Sequence, residues 1–546
     1  MDHQRALNQL RSREILSEAL NYAMFDRTNG DFLFDPFEIE NARTNSETLI
    51  NELIEELQDP TEFEPRPAFA FFPPKNQLCD RRLIYIPIKD LTVRYSMAMV
   101  FSEQIESEIH PQCFAYRRAT GNYVRSRFTE EFSTGGWARF CQWQAECCGD
   151  NLILLRTDIS SFYDSISHDY LIDAVCRHLM LPRVCPLICL FERLLRVPVI
   201  YYSPSTGQIE GPTTTRQGLP IGDGVEGYLA NLYLKDVDDA MVRAQAQYGR
   251  YVDDIRLFGT TREEVHHQLR ILQEQLLRKG LNLNSSKTEM AEDEPSRSEL
   301  ISRLYSGSSN DDVENEQAGS VIQGQVDVPF EQFDRTFTEG QILENGGDAK
   351  DFCKFLGAHR ADGQPRVALA ERQIWHIDRL REIVSLWRGP TKHATWLLAQ
   401  TSAYRGVPTP TQTRARNVII ELLADDQISP YSRYRLLHHL VKARQAVIGT
   451  TFRFIDQFHL TERQRIEALL PGFLAAPAFE LNLIALYHLK ILGRSPDNLR
   501  ALAAANCRRG CEPVRNALKM AARITQTQTP PDAFTDEPDA TPEPTS

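Results

Sequence analysis

The adjacent carboxylates of Asp253 and Asp254 constrain this chain most. They stand between two β-like runs, Arg250-Tyr251-Val252 before and Ile255-Arg256-Leu257-Phe258-Gly259 after. Such a placement predicts a hairpin with both charges at its tip, held out of the core where a divalent ion can neutralise them. By itself an Asp-Asp pair in a turn is usually no more than a turn, because short acidic side chains favour turns for conformational reasons.

Three further segments alter that reading. Upstream, LILLRTDISSFYDSISHDYL is an apolar strand-like run ending at Asp158. An ionised carboxylate at the end of a buried strand is costly unless a metal or a cation pairs with it. A strand-end Asp together with a hairpin Asp is what two magnesium ions need to bridge an attacking hydroxyl and a nucleotide's phosphates. The structural alternative for Asp158 is to cap the following helix, and Asp164 and Asp169 are expected to cap or pair on that helix. Between these carboxylates lies Arg216-Gln217-Gly218-Leu219-Pro220-Ile221-Gly222, then the helical run EGYLANLYLKDVDDAM. A glycine-bearing turn that opens a helix lets backbone approach a base pair closely. Last comes GLNLNSSKTEM, in which Lys287 is expected to follow a short strand and to reach a triphosphate as a point charge.

DISSFYD, RQGLPIG, YVDD and LNLNSSKT stand in the order and spacing of the A, B, C and D motifs of reverse transcriptases. RRLIYIPIKDLTVRYSMAMVF is similar to the family's fingers segment, and CFAYRR to the one after it. The resemblance spans about residues 66–290. It implies an α+β right-hand polymerase, with fingers and palm, acting as an RNA-directed DNA polymerase. It implies that Asp158 and Asp253 ligate two Mg²⁺ per active site, helped by the backbone carbonyl of Ile159, with Asp254 supporting that site. Tyr163 falls where the family keeps an aromatic residue under the sugar, which implies a preference for dNTPs over ribonucleotides. Arg82, with Arg81 beside it, would clamp the triphosphate, although both suit a solvated strand edge as well. Gln217 and Gly218 would line the nascent base pair, and Lys287 would assist the leaving pyrophosphate.

At 546 residues the chain can bury two cores or more. Residues 1–65 are expected to form an acidic helical region, because apolar residues recur there at three- and four-residue spacing. Residues 66–360 would be fingers and palm, with an acidic mobile insertion at about 291–326. From 361 to 525 the text is amphipathic helix in short pieces, expected as an all-α, HEAT-like helical-repeat domain. Residues 526–546 are Pro- and acid-rich and are expected to be disordered. The net charge of −13 does not veto a polyanionic partner, because the acid is concentrated in blocks. Residues 66–128 carry a positive excess of about five and residues 341–526 one of about eleven, and local field decides binding. Arg414, Arg416, Arg433, Arg435, Lys442 and Arg444 would either track a nucleic-acid backbone or line solvated helix faces. The eleven scattered cysteines resemble neither a disulfide framework nor a zinc site. With no long apolar run and no signal-type start, no membrane contact is expected and the chain is expected in the cytoplasm.

No Cys/His-rich endonuclease pattern, ribonuclease H text or basic maturase tail follows residue 300, and the family's primer-grip motif has no place in the acidic insertion. A polymerase domain with an acidic helical preface and a long helical C-terminal region is similar to the bacterial abortive-infection and related defence-associated reverse transcriptases. The likeness lies in length and texture, and it implies DNA synthesis that stops phage growth, within a homo-oligomer. The nucleic-acid partner would be a dedicated noncoding RNA template. Failing that, synthesis would be untemplated and primed from a protein hydroxyl, for which Tyr404, Tyr431, Tyr434 and Tyr487 are candidates if they are not packing residues. Two other readings stay open: a retron-like or domesticated enzyme copying a structured RNA outside defence, and a catalytically silent RNA-binding scaffold.

Overall fold

Short continuous apolar runs such as AFAF and LIY predict strands buried on both faces, and the fold uses both. The computed structural model describes residues 2–29, 35–118, 136–149, 153–203, 208–221, 224–298, 300, 336–357, 367–442, 444–445, 451–507 and 511–526. Four helices come first: α1 (His3–Leu10), α2 (Arg13–Asn29), α3 (Pro36–Thr44) and α4 (Ser46–Glu56). Asp2 and Asp35 cap α1 and α3 by accepting from backbone N–H groups, and Pro36 starts α3 where its missing N–H costs nothing. Strands β1 (Ala68–Phe71) and β2 (Leu83–Tyr85) lead into the long buried helix α5 (Ile88–Ile105), against which α2 lies. There follow α6 (Gly136–Gly149), β3 (Ile153–Asp158), α7 (Phe162–Ser165), α8 (His168–Leu179), α9 (Pro186–Leu195), β4 (Val199–Tyr202), β5 (Ile209–Thr213), α10 (Gly224–Arg243), β6 (Gln247–Tyr251), β7 (Asp254–Gly259), α11 (Arg262–Arg278) and β8 (Glu289–Ala291).

Two four-stranded sheets result. The fingers sheet runs β2-β1-β4-β5, with β1 and β4 parallel and the other pairs antiparallel. The palm sheet runs β6-β7-β3-β8 and is antiparallel throughout. Strands β1 and β2 of the fingers sheet are buried on both faces, whereas the edge strand β5 is exposed. Ala68, Ala70 and Ile84 join the core that the N-terminal helices share with the palm, while Phe69, Phe71, Leu83 and Tyr85 join the core of the C-terminal helices. Each of these large side chains contributes about 1.5–3 kcal/mol on burial.

The C-terminal region is helical: α12 (Gly346–Gly357), α13 (Ile374–Leu386), α14 (Thr391–Ala403), α15 (Thr409–Ala424), α16 (Pro430–Val441), α17 (Leu460–Leu474), α18 (Phe479–Ile491), α19 (Pro496–Asn506) and α20 (Glu512–Gln526). Helix α12 precedes the expected boundary at 361, yet Phe352 and Leu356 enter the C-terminal core. The fold is thus a right-hand polymerase, fingers and palm, followed by a helical C-terminal region.

Several local expectations are corrected. Helix α16 ends at Val441 instead of running on through KARQAV, and Arg444–Gln445 pairs with Thr451–Phe452 as a short ladder. Lys287 does not follow a strand: it ends a 3₁₀ turn, Ser285–Lys287, and the strand comes after it as β8. The first residues of the expected insertion are part of the palm, since Ala291 and Leu300 are buried against Leu154 and Phe258. The rest of that insertion and the acidic tail lie outside the described residues. Arg414 pairs with Asp378 and Glu421, Arg433 with Asp426, and Arg416 and Arg435 are buried; these four do not form an open basic face. Tyr434 is buried in the helical core, as its packing alternative requires. The eleven cysteines are free thiols. Among the described residues no helix is long and apolar enough to cross a membrane.

Candidate active site

Strands β6 and β7 are joined by only two residues, Val252 and Asp253, because Tyr251 pairs with Asp254. Val252 takes φ +57°, a conformation that a β-branched residue adopts at a cost of about 1–2 kcal/mol. The surroundings hold it there. Arg250, fully buried, donates to both carboxylate oxygens of Asp238 at 2.8 Å, to Asn231 Oδ1 at 2.7 Å and to the carbonyl of Val252 at 3.3 Å. Tyr248 Oη donates to Asp238 as well, at 2.8 Å. A buried, bidentate guanidinium therefore grips the turn that carries Asp253.

The register of β3 on β7 places Asp158 directly across from Asp254. Ile159 N–H donates to the carbonyl of Asp253 at 3.3 Å, so the 159/253 pair is the hydrogen-bonded one. The 158/254 pair is then of the closer kind, with Cα atoms about 4.5 Å apart. Asp158 Oδ2 lies 3.6 Å from Lys287 Nζ and 3.4 Å from Asn284 Nδ2. Asn284 N–H also donates to the carbonyl of Asp158 at 2.7 Å, which anchors the turn bearing Lys287. Asp158, Ile159, Asp253, Asp254 and Lys287, drawn from three stretches of sequence, thus share one end of the palm sheet. Asp158 is held by this turn and does not serve as a helix cap.

Two residues were missed. Arg156 and Arg256 face Asp254 at 3.9 and 3.2 Å and are themselves cross-strand partners. Arg256 is fully buried and donates to Gln144 at 2.9 Å. Burial pulls its guanidinium below the usual range, against the opposing pull of Asp254. The available signal was an arginine two residues before Asp158 and another two after Asp254. In strands, both spacings return to the carboxylates' own face.

The second group of residues gathers beside the first. Arg82 bonds Asp164, and its Nη1 donates to Tyr201 Oη at 3.2 Å; Asp164 therefore neither caps nor pairs on its own helix. Asp169 likewise pairs away from α8, with Arg183 and Arg196. Gly218 has φ +94°, and a Cβ there would sit 3.5 Å from the Asp164 carbonyl and 3.6 Å from Arg82 Nη2. Its N–H donates to Ile166 at 2.8 Å, while Leu219 N–H donates to Tyr163 at 2.9 Å. Gln217 is exposed and bridges Ser167. The buried imidazole of His168 contacts the carbonyl of Gly218 through Nε2 at 2.7 Å. Arg81 adjoins Arg82, its N–H donating to Pro73 at 2.8 Å. Helix α10, which follows the glycine turn, begins with Gly224 donating to Asp26 of α2 at 3.0 Å.

The donors at the palm edge are carboxylate oxygens, the hard ligands that magnesium and other small divalent ions take. Among the described residues no three His, Cys, Asp or Glu side chains form a ready-made cluster. In this arrangement Asp158 faces Lys287 and Asn284, and Asp254 faces the two arginines. The backbone fits a metal, and the side chains would have to turn from the protein's own cations to bind it.

Residues 103–359 match the family model described as reverse transcriptase (RNA-dependent DNA polymerase). The match begins inside α5 and contains the whole palm sheet. No curated protein matches the chain. Among solved structures, a chain of a partial Cas6-RT-Cas1–Cas2 complex is similar at 19% identity and a TM-score of 0.28, covering 50% of this chain and 42% of that one. The palm sheet, the glycine turn and the family match fall on the same residues: residues 103–359 form a reverse transcriptase domain.

Proposed function

We propose that this chain is an RNA-directed DNA polymerase that makes DNA in bacterial anti-phage defence, using two Mg²⁺ held by Asp158, Asp253, Asp254 and the carbonyl of Ile159. The observation that carries the catalytic part is the register that sets Asp158 across from Asp254, with Asp253 at the adjoining hairpin tip. When bound, the two ions would activate the attacking hydroxyl and neutralise the pyrophosphate that leaves.

The chain's own residues do the rest. Arg82, with Arg81, clamps the triphosphate, giving up Asp164 as it does so. Lys287, leaving Asp158, meets the charge that builds on the pyrophosphate. Gln217 and Gly218 abut the nascent base pair, where the missing side chain at Gly218 keeps the backbone close. The ring of Tyr163 lies under the sugar and disfavours a 2′-hydroxyl. The defence role is supported by the plan of the chain, an acidic helical preface and a long helical region around the polymerase. A HEAT-like repeat domain, a homo-oligomer and either a noncoding RNA template or protein-primed, untemplated synthesis belong to the same proposal.

The test is to purify the full chain with its co-expressed RNA and supply labelled dNTPs with Mg²⁺. The wild type incorporates label, and Asp253→Asn lowers incorporation by about three orders of magnitude or more. Equal incorporation by the two would overturn the site. Label that survives denaturation on the protein and leaves with protease shows protein priming. Supplying each dNTP alone distinguishes templated from untemplated product. Unchanged phage growth in cells carrying the active gene would overturn the defence role while leaving the polymerase intact.

A further inference from the structure

The loop between β1 and β2 leads directly into Arg81 and Arg82, and it is internally wired. Asn76 Oδ1 accepts from the N–H groups of Leu78 and Cys79 at 2.9 and 2.8 Å, Lys75 N–H donates to Cys79 at 2.9 Å, and Arg81 N–H closes the base on Pro73 at 2.8 Å. A loop tied in this way moves as a unit. Its tip reaches the end of α13, some three hundred residues away in sequence. Gln77 Nε2 donates to the carbonyl of Leu386 at 2.8 Å, and Gln77 Oε1 accepts from Arg388 N–H at 2.9 Å. Arg388 then pairs its guanidinium with Asp80. A single amide thus bonds both a donor and an acceptor of the same backbone stretch, and a charge pair closes beside it.

We infer that Gln77, Asp80 and Arg388 form a brace through which the C-terminal helices position Arg82 for the incoming nucleotide. The inference rests on the reading of Arg82 given above. Two observations support it independently. Asp80 is two residues from Arg82, so a shift of the tip is passed along the strand start with little slack. The outer face of the fingers sheet is also fused to the C-terminal helices: Phe479 packs 6.1 Å from Phe69 and 4.9 Å from Tyr202, ring to ring, and Glu512 N–H donates to Tyr202 Oη at 3.2 Å. With its other face in the palm core, the fingers sheet cannot swing without breaking one core or the other. The chain segment that carries Arg82 is therefore set in place before the nucleotide arrives. Gln77, Asp80 and Arg388 are positioning residues: they act through Arg82.

The brace is tested in the full chain with Gln77→Ala, Arg388→Ala and Asp80→Ala. Each is expected to raise the KM for dNTP by about five- to tenfold with kcat changed less than about twofold. The melting temperature should not move, because the charge pair is partly exposed. Combining Asp80→Ala with Arg388→Ala should be no worse than the more severe single change, since the two act together. A KM unchanged in all three single variants, or strictly additive effects in the double, overturns the brace. Hydrogen exchange gives a readout independent of activity: amides of residues 75–80 should exchange faster in Gln77→Ala. If the wild type incorporates nothing, the polymerase reading fails, whereas faster exchange still upholds the contact and unchanged exchange removes it.

Discussion

Val252 shows how much one position can depend on its neighbours. Its left-handed backbone is tolerable because Arg250 holds its carbonyl from below. Replacing Arg250 with Met would leave Asp238 buried and without its bidentate partner. Breaking a buried pair from one side typically costs about 3–5 kcal/mol, so Arg250→Met should lower the denaturant midpoint markedly. A midpoint unchanged from wild type would show that the pair does not hold the hairpin. The carboxylates themselves were legible in the sequence, because a strand-end acid and a turn acid are local patterns. Of the two arginines facing Asp254, Arg256 shares its strand and face at a spacing of two, whereas Arg156 reaches it from β3, a cross-strand pairing that linear spacing does not state.

At the scale of elements, the glycine turn is fastened to the start of α8 by backbone bonds and by His168. The contact between His168 Nε2 and Gly218 O predicts an ordering among substitutions. His168→Gln, whose amide nitrogen can reach the same carbonyl, should keep near-normal nucleotide affinity. His168→Leu should raise the KM for dNTP by about fivefold, the worth of one hydrogen bond of about 1 kcal/mol. Equal effects of Gln and Leu, measured by steady-state incorporation, would dismiss a role for the bond. Most strands and helices were readable from period-two and period-3.6 apolar spacing. The exceptions have physical causes. Strand β8 is only three residues long and begins with Glu289, so pairing with β3, not its own pattern, makes it a strand. Helix α16 stops at Val441 because Lys442 turns to the extended backbone, with its side chain amine reaching the carbonyl of Thr28 in α2.

The whole molecule is one in which distant segments complete each other's cores, and some ionisable groups are buried in consequence. Glu480, at the start of α18, is enclosed so that burial raises its carboxyl to about 7 from an ordinary 4.5. The folded chain therefore holds a proton that the unfolded chain releases. Stability from this group is complete below about pH 4.5, is lost as pH rises toward 7, and is flat above. The lost stability is on the order of 3 kcal/mol. Glu480→Gln should flatten that part of the melting-temperature profile and stabilise the protein at neutral pH. A profile identical to wild type would show that Glu480 does not titrate in this window. Chelating divalent ions with EDTA should abolish incorporation and leave the melting temperature nearly unchanged, since the palm carboxylates already have protein cations as partners.

What the sequence determined alone was chemistry and order: four polymerase segments in series, their acids at strand end and turn, and helical text on either side. These follow from side-chain type and short-range periodicity, which need no knowledge of the rest of the chain. Tertiary structure alone decided which partners meet. Arg82 lies on Asp164, Lys287 beside Asp158, and Gln77 on the backbone at Leu386 and Arg388. Such contacts join residues from tens to hundreds of positions apart, and only the packing of whole sheets and helices brings them within the few ångströms over which charge and hydrogen bonding act.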